Sequence, residues 1–405
     1  MNNNFEYIPK AKVVFNVTTR NAEKYICECI ESVIDQNDNN WECKIINDNS
    51  SDKTWDFISS FKDKRIRAFT SPKRNYKLKN FMLNLEGCNP HDIIVELDGD
   101  DWLSHQNVVS EIRELHTKYD LVWTQCLTNI ENFPNWHIWP STNLPDDWTR
   151  KNPLRDTIWS PVYHPNHLRT FKKFLFNKID PSNLYYDGEV IKVATDAAFY
   201  TSMIEMTFPD RRYFYDRVCM NYNIHADNIT LNISTDPTLS QSFIADYLKN
   251  LPVQSRLKRQ HVVFVLNSFG DLQKQIINSI RNAFPEIFLY IGITQYWNID
   301  KYQAFCGVKF VNLEKLYQLY FEGINSTEIF KYLIGLYLLK NVRANQFLIL
   351  NQDEMQKFDD FNFNWIINGT YNDEFNQIPN CIELSDLPQI LRHLSSMKII
   401  NGGCF

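Results

Sequence analysis

Three carboxylates lie within four positions at the end of an apolar stretch. Asp98, Asp100 and Asp101 follow the run Ile93–Leu97, whose β-branched residues are typical of a buried strand. Because burying unpaired carboxylates is costly, we expect these side chains at an open strand end that faces water, a cation or both. Asp98 and Asp100, with Gly99 between them, suit one hard divalent ion that takes oxygen ligands, Mg²⁺ or Mn²⁺. The alternative is a plain Asp-Gly turn whose aspartate caps a following helix.

Strands that alternate with helices precede these carboxylates and would position them. The strands predicted from the apolar pattern are Lys12–Val17, Trp41–Asn47 and Ile66–Phe69. Asn21 is expected to cap the first of the intervening helices. Such alternation predicts a parallel sheet with right-handed crossovers. Because ligands bind at the carboxyl ends of the strands in open α/β sheets, Asp48, which follows the second strand, is expected at the same edge as Asp98.

Length and composition narrow the class of protein. A chain of 405 residues with 44% hydrophobic residues favours two globular domains. The net charge of −6 argues against a broad nucleic-acid-binding surface. No run approaches the roughly 18 apolar residues of a membrane span, and the polar N-terminus lacks the shape of a signal peptide. Nine cysteines without a Cys-x-x-Cys pair indicate reduced thiols. We therefore expect a cytoplasmic protein without a transmembrane segment, and peripheral association with the membrane face stays open.

Four segments, in this order and at these spacings, resemble the family 2 glycosyltransferases. Thr18–Ile26 is similar to the family's opening Pro-Thr-Tyr-Asn-x-x-x-Tyr-Leu, and Ile46–Thr54 to its Val-Asp-Asp-Gly-Ser-Thr-Asp-Gly-Thr segment. Lys79-Asn80 falls where the family often has Arg-Asn, and Leu97–Trp102 resembles its Leu-Asp-Ala-Asp-Asp metal motif. The chain departs from the family pattern at Thr18 in place of proline, Arg20 in place of an aromatic residue and Asn47 in place of aspartate.

This resemblance implies a GT-A fold and a nucleotide-sugar donor, which is usually a UDP-sugar in this family. It implies that Asp48 binds the base and that Thr19 and Glu23 line the nucleoside pocket. Asp98 would reach the ribose or a metal-bound water, and Asp100 would ligate the Mn²⁺ or Mg²⁺ that bridges the diphosphate. The residues assigned to the nucleotide-sugar site in this way are Thr19, Glu23, Asp48, Lys79, Asp98, Gly99 and Asp100.

The segment Thr195–Tyr200 resembles the acceptor half of the same enzymes, with Asp196 at the aspartate of their Glu-Asp motif. Enzymes of this type invert the anomeric centre by direct displacement, and a carboxylate takes the proton of the acceptor hydroxyl. We expect Asp196 to be that general base; the alternative is that it caps the predicted helix Ala197–Met206. Arg169 is expected either near the diphosphate or in a structural salt bridge.

A third protein ligand to the metal or diphosphate is implied near the end of this domain. Cys219–Asn228 resembles the family's Tyr-Arg-x-His segment, so that His225 would join Asp98 and Asp100 at the metal or diphosphate. The alternative is an ordinary surface histidine held by a hydrogen bond.

The apolar pattern restarts after Leu251-Pro252, which marks the predicted domain boundary. Val13 and Ile93 lie 80 positions apart and Val262 and Gln346 lie 84, so Leu350–Glu354 takes the place of Leu97–Asp101. We therefore predict a catalytic domain over residues 1–250, with a donor half at 1–103 and an acceptor half at 104–250. Residues 251–405 are predicted to form a smaller α/β domain, a degenerate GT-A-like repeat without catalytic function. A chance match and a second active transferase stay open as alternatives.

The predicted fold is thus α/β, with a mostly parallel central sheet flanked by helices and a second α/β domain behind it. The predicted function is inverting, metal-dependent transfer of a sugar from a nucleotide-sugar to a saccharide or another hydroxyl acceptor, as in glycan biosynthesis. The alternatives are a non-catalytic sugar- or partner-binding scaffold derived from a transferase fold, and a sugar-nucleotidyltransferase. No nucleic-acid partner is expected, and homo-oligomerisation stays open.

Overall fold

The computed structural model describes one long region of the chain almost continuously and only parts of the remainder. Described are residues 6–7, 11–129, 137–139, 141, 144, 165, 167–225 and 236–257, then 261–266, 275, 277, 285–286, 288–293, 308–312, 346–350 and 381–383. The chain divides into two compact units, one of residues 11–257 and one of residues 1–10 with 258–405. In the described parts of both units, no helix is long and apolar enough to cross a bilayer.

Strands and helices alternate through the first unit. After β1 (Glu6–Tyr7), which belongs to the second unit, the strands are β2 (Val13–Thr19), β3 (Trp41–Asn47), β4 (Ile66–Thr70), β5 (Ile93–Asp98), β6 (Trp102–Leu103), β7 (Leu121–Asn129), β8 (His137–Trp139), β9 (Arg169–Lys172), β10 (Tyr185–Tyr186), β11 (Glu189–Val190) and β12 (Arg212–Asn223). The helices are α1 (Ile26–Ile34), α2 (Thr54–Ser60), α3 (Lys77–Asn84), α4 (Val108–Leu115), α5 (Lys173–Asn177), α6 (Thr195–Met206) and α7 (Gln241–Lys249).

The first unit is built on a nine-stranded mixed sheet in the order β4-β3-β2-β5-β9-β7-β12-β6, with β8 paired to β7. Strands β4, β3, β2 and β5 are parallel, as the alternating pattern predicts. Strand β9 runs antiparallel to both neighbours and lies between β5 and β7, although it follows both in sequence. The sheet is therefore completed by a segment that returns to its middle from further along the chain.

Apolar side chains on both sides of this sheet form the two cores of the unit. In β2, Val13, Phe15 and Val17 belong to one buried cluster, whereas Val14 belongs to the other. Successive strand residues point to opposite faces, so a strand that is buried on both sides reads as a continuous apolar run. All seven residues of β2 are buried, which is the pattern expected of a central strand.

Helix α1 begins later than the sequence suggests, and the predicted cap at Asn21 is wrong. The helix starts at Ile26, and its N-cap, Tyr25, makes no capping hydrogen bond with its side chain. Asn21 has a positive φ of 52°, and its side-chain oxygen accepts from the backbone N–H of Ser51. Asparagine tolerates the left-handed conformation better than most residues, and here it joins two loops at the carboxyl ends of β2 and β3.

The first compact unit ends at residue 257, close to the predicted boundary at 250. The observed division differs from the predicted one in two respects. Strand β1 pairs with a strand of the second unit, and residues 251–257 pack on the first. The backbone N–H of Gln254 donates to Glu205, and that of Leu257 donates to the carbonyl of Met206 at the end of α6.

The second unit also contains a parallel sheet. Its strands are β13 (His261–Leu266), β14 (Phe288–Ile293), β15 (Val308–Asn312), β16 (Gln346–Leu350) and β17 (Cys381–Glu383), in the order β1-β15-β14-β13-β16-β17. Strands β2–β5 of the first unit and β13–β16 of the second take the same spatial order: third, second, first, fourth. In both sheets the strand that pairs with the fourth one on its other side is antiparallel. Residues 351–354, which the sequence aligns with the carboxylate segment, lie outside the described residues.

Candidate active site

The carboxyl ends of three adjacent parallel strands bring the predicted donor-site residues to one edge of the sheet. Thr19 ends β2, Asp48 directly follows β3, and Asp98 ends β5. The backbone N–H of Asp48 donates to the carbonyl of Thr19 at 2.8 Å. Arg169, the first residue of the antiparallel β9, lies at the same edge because it pairs with Glu96 of β5. The expectation that Asp48 and Asp98 share an edge is met by this topology.

Asp48 is buried and holds the loop that precedes α3. Its two carboxylate oxygens accept from the backbone N–H groups of Asn75 at 2.6 Å and Tyr76 at 3.0 Å. Tyr76 adopts a positive φ of 65°, a conformation that a bulky residue keeps only when its surroundings impose it. Asp48 thus fixes the basic loop before α3 at the entrance to the site, and each oxygen retains acceptor capacity for a further donor.

Thr19 and Gly99 are in direct contact. A Cβ added to Gly99 would lie 2.3 Å from the hydroxyl oxygen of Thr19 and 2.4 Å from its Cβ. The Thr19 oxygen is buried and has no hydrogen-bond partner among the described residues. Glu23 lies on the neighbouring loop, where its carboxylate accepts from the backbone N–H of Lys53 at 3.0 Å. Thr19 is therefore packed beneath the turn of the carboxylate segment, whereas Glu23 is tied to the loop after β3.

Lys77, which the sequence did not single out, reaches the carboxylates, whereas the predicted Lys79 is exposed on α3. The ammonium of Lys77 lies 2.7 Å from Asp98 and 3.0 Å from Glu96. Burial alone would lower the pKa of Lys77, but the carboxylates of Asp98 and Glu96 more than offset that effect and raise it. Lys77 is the first residue of α3, so its position depends on where the helix begins, which the sequence pattern resolves only to within a turn.

Asp98, Asp100 and Asp101 each offer a carboxylate oxygen to one small volume, and these oxygens lie within 4.8 Å of one another. Burial raises the pKa of Asp98 to about 6; Lys77 opposes this shift, and Asp100 and Glu96 add to it. Burial, followed by the charges of Asp100 and Asp98, raises the pKa of Asp101 well above its usual range.

Asp101 binds the backbone N–H of Asn223 through one oxygen, and its other oxygen is buried without a hydrogen-bond partner in the described parts of the chain. Crowded carboxylates that raise one another's pKa, with one oxygen left unbonded, are the donor set that a hard divalent cation stabilises. The residues therefore fit Mg²⁺ or Mn²⁺.

The structure brings His225 to this cluster. Its Nε2 lies 2.9 Å from a carboxylate oxygen of Asp100. The imidazole also packs on the ring of Tyr25, with 4.7 Å between the ring centroids. His225 therefore lies where a metal or diphosphate ligand is expected, and its bond to Asp100 also fits the alternative of a hydrogen-bonded histidine.

Arg169 forms ion pairs with two carboxylates, Glu96 and Asp196, and so connects β5 to Asp196. Arg169 is 2% exposed and donates to Glu96 at 3.2 Å and to Asp196 at 3.0 Å. Burial alone would lower the pKa of Arg169, but Asp196 and Glu96 raise it. Burial would raise the pKa of Glu96, yet Lys77 and Arg169 lower it. Of the two roles expected for Arg169, the structural salt bridge is the one observed.

Asp196 lies in the first turn of α6 with its side chain 26% exposed. One carboxylate oxygen accepts from Arg169, and the other accepts from the backbone N–H of Ala197 at 2.9 Å. The N-cap itself is Ala194, whose φ of 52° is left-handed. Asp196 is therefore not the N-cap residue, and its carboxylate is oriented by the helix start and by a buried guanidinium.

Comparison with known proteins finds that part of this region resembles one family. Residues 15–180 match the family described as "Glycosyl transferase family 2". An "Uncharacterized glycosyltransferase" of Haemophilus influenzae is 23% identical over 321 residues, which cover 73% of this chain and 88% of that protein.

The chain also aligns with parts of solved glycosyltransferase structures. A crystal structure of S. aureus TarS 1-349 in complex with UDP-GlcNAc aligns with a TM-score of 0.42 and 16% identity, over 56% of this chain and 62% of that one. GalNAc-T7 with UDP, GalNAc and Mn²⁺ aligns with a TM-score of 0.34 and 11% identity, over 56% and 47% of the two chains. The chain thus spans less than two thirds of the length of either solved structure. The sequence match and the mixed, mostly parallel sheet flanked by helices agree with the predicted GT-A architecture.

Proposed function

We propose that the protein transfers a sugar, with inversion, from a UDP-sugar to a saccharide or another hydroxyl acceptor, because residues 15–180 match the family described as "Glycosyl transferase family 2". The observation that carries this proposal is a single edge of the sheet with two functional groups. One is the carboxylate cluster at Asp98 and Asp100, and the other is Asp196, which a buried guanidinium connects to the same strand.

The donor half of the site supports nucleotide binding. Asp48 holds the loop before α3 and keeps acceptor capacity for the base, while Thr19 and Gly99 pack together beside it. Glu23 supports the wall of this pocket through its bond to Lys53. Lys77, rather than Lys79, is the cation that lies against the carboxylates on the donor side. In this proposal Lys79, which is exposed on α3, does not contact the carboxylates of the donor site.

Asp98, Asp100 and His225 would hold a Mn²⁺ or Mg²⁺ ion. A divalent cation at such a site stabilises the negative charge that develops on a departing nucleoside diphosphate. Residues of this chain supply the remaining functions. Asp101 anchors the turn to β12 through Asn223, and Tyr25 supports the imidazole of His225.

Asp196 is the proposed general base. Its two oxygens accept hydrogen bonds from Arg169 and from the backbone N–H of Ala197, which fixes the plane of the carboxylate. The partly exposed edge of this carboxylate would take the proton of the acceptor hydroxyl as that oxygen attacks the anomeric carbon. The bond to the departing nucleoside diphosphate breaks in the same displacement, so no covalent intermediate with the protein is needed.

A nucleotide-release assay tests this function. Purified protein would receive UDP-, GDP- and dTDP-sugars with Mn²⁺ or Mg²⁺, then with chelator, in the presence of a panel of saccharide acceptors. We expect release of UDP that requires metal, loss of release in Asp100→Asn, and a fall in transfer of roughly 10²–10⁴-fold in Asp196→Asn with donor binding retained. Asp56→Asn, an exposed carboxylate in α2, is the matched control and should behave as wild type.

Two results would count against the proposal. Metal-dependent thermal stabilisation by a nucleotide-sugar, without turnover on any acceptor, would favour the sugar-binding scaffold. Full transfer activity in Asp196→Asn would remove this residue from the role of base.

A further inference from the structure

We propose that Glu96 is a positioning residue that couples the donor carboxylates to the general base through two cations, the partly buried Lys77 and the buried Arg169. This inference rests on the proposed function for its kinetic consequences, and it assigns a role to a residue that does not reach the donor itself. Glu96 lies two positions before Asp98 on β5, so both side chains lie on the same face of the sheet.

The contacts form a continuous chain of alternating charges. Asp98 binds Lys77 at 2.7 Å, Lys77 binds Glu96 at 3.0 Å, and Glu96 binds Arg169 at 3.2 Å. Arg169 then binds Asp196 at 3.0 Å. Glu96 is the central member of this chain of contacts. It binds one cation on each side, and its side chain is buried, with 1% of the residue exposed.

The arrangement is set by the sheet. Glu96 and Arg169 are cross-strand partners in the antiparallel pairing of β5 with β9, 73 residues apart in sequence. Arg169 is also held from behind, because its Nε donates to the carbonyl of Pro165 at 2.9 Å. A guanidinium held at two points, by Glu96 and by Pro165, presents its Nη2 to Asp196 in a defined direction, which a flexible ammonium would not do.

Removing the charge of Glu96 has a predictable structural effect. Each of the two cations would then lose one carboxylate, so that Asp98 would be the remaining carboxylate of Lys77 and Asp196 that of Arg169. Both carboxylates would be drawn toward their cations. A shift of the reacting groups by about 1 Å is enough to cost roughly 10²-fold in rate.

The chain contains a matched control for this experiment. Asp120 is also a buried carboxylate between two cations, bound to Lys172 at 2.8 Å and to Arg211 at 2.7 Å. Lys172 ends β9, the strand that Arg169 begins, so this second cluster lies at the opposite end of the same strand. Asp120→Asn and Glu96→Gln therefore remove the same charge from similar surroundings, but only one of them lies at the active-site edge.

The kinetic experiment compares Glu96→Gln with Asp120→Asn in the UDP-sugar assay, with folding checked by circular dichroism. For Glu96→Gln we expect kcat to fall roughly 10–100-fold, as for other residues that orient a reacting group, with the donor KM changed less than about threefold. Asp120→Asn should lower the melting temperature but leave kcat within about twofold of wild type. Equal kcat in the two folded variants would overturn the inference.

A second experiment does not depend on activity. Asp98→Asn, Asp196→Asn and the double variant would be unfolded with urea in chelator, first with Glu96 present and then in the E96Q background. With Glu96 present, the double variant should lose more in its denaturation midpoint than the sum of the two single losses, because each carboxylate is then the remaining support of the shared chain. In the E96Q background the losses should be additive.

Additivity with Glu96 present, or coupling that persists unchanged in E96Q, would contradict the inference. If the wild-type protein turns over no donor, the proposed function fails, and the urea cycle alone decides the role of Glu96. The two failures are therefore distinguishable.

Discussion

Gly99 separates the two carboxylates assigned to the metal, and the space above its Cα is already filled by Thr19. A Cβ at this position would lie 2.3 Å from the Thr19 oxygen and 3.1 Å from a methyl group of Ile26. Neither neighbour can move without displacing β2 or α1. The requirement for glycine here comes from this close approach and from no special backbone angle.

Gly99→Ala is therefore expected to destabilise the protein by about 1–3 kcal/mol, the usual cost of overpacking. It should also weaken metal-dependent donor binding, because the turn that carries Asp98 and Asp100 must shift. Donor binding measured by calorimetry, together with urea unfolding, would check both effects. Thr19→Gly combined with Gly99→Ala removes the closest contacts and leaves the one with Ile26, so the double variant should recover part of the donor binding lost in Gly99→Ala. Equal weakness in the two would contradict the steric explanation.

Residues whose positions follow from local pattern were predictable from the sequence. Asp48 and Asp98 end apolar strand runs, and parallel strands place their ends at one edge. Lys77 was missed because the start of α3 depends on the left-handed Tyr76, which no periodicity indicates. Glu96 was missed because it interrupts an apolar run, and the cation that compensates it is 73 residues away. The predicted roles of Thr19, Glu23, Asp196 and His225 stay predictions, although the structure brings their side chains to the expected edge or its loops.

At the scale of elements, the end of helix α4 carries a buried histidine that must remain neutral. His116 is 3% exposed, and its ring nitrogens lie 3.1 Å from the carbonyl of Tyr119 and 2.8 Å from the hydroxyl of Thr170 in β9. Burial lowers its pKa from 6.5 to about 3, and the neighbouring cations Lys172 and Arg211 act in the same direction, against Asp120. This histidine joins α4 to the central antiparallel strand.

The unfolded chain binds a proton at His116 at pH values where the folded protein does not. The contribution of His116 to the stability of the folded protein is therefore fully present above pH 6.5 and is lost as the pH drops from 6.5 toward about 3. Between pH 7.5 and pH 5 we expect His116 to contribute a loss of about 2 kcal/mol in the free energy of unfolding.

Urea unfolding of the wild type and of His116→Gln at both pH values would isolate this contribution from other titrating groups. The variant is expected to be less stable at pH 7.5 but to lose less stability on acidification. Parallel losses in the two proteins would show that another group dominates the acid response.

At the scale of the whole molecule, the two units share an order of strands that the sequence spacing anticipated. Four parallel strands in the order third, second, first, fourth, followed by an antiparallel neighbour, occur in each unit. The sequence predicts this repeat because the spacing of the strands is visible as a spacing of apolar runs. The assignment of the second unit to packing, acceptor docking or dimerisation stays a prediction.

A fragment of residues 11–257 is expected to fold alone and to retain metal-dependent turnover of the donor. A shorter fragment that ends at residue 250 should be less stable by about 2 kcal/mol, because it loses the backbone hydrogen bonds from Gln254 to Glu205 and from Leu257 to Met206. Thermal unfolding and nucleotide release of the two fragments would check this. Equal melting temperatures would indicate that residues 251–257 contribute nothing to the first unit.

The position of β9 between β5 and β7 has a consequence for protein synthesis. A nascent chain that has passed the ribosome only as far as β7 carries two strands with open edges where β9 will lie, and unpaired edges favour pairing with other chains. Contacts across such long sequence separations also slow folding. The ion pair of Arg169 with Glu96 therefore forms only when β9 closes these open edges, and its pair with Asp196 must wait until α6 has also been synthesised.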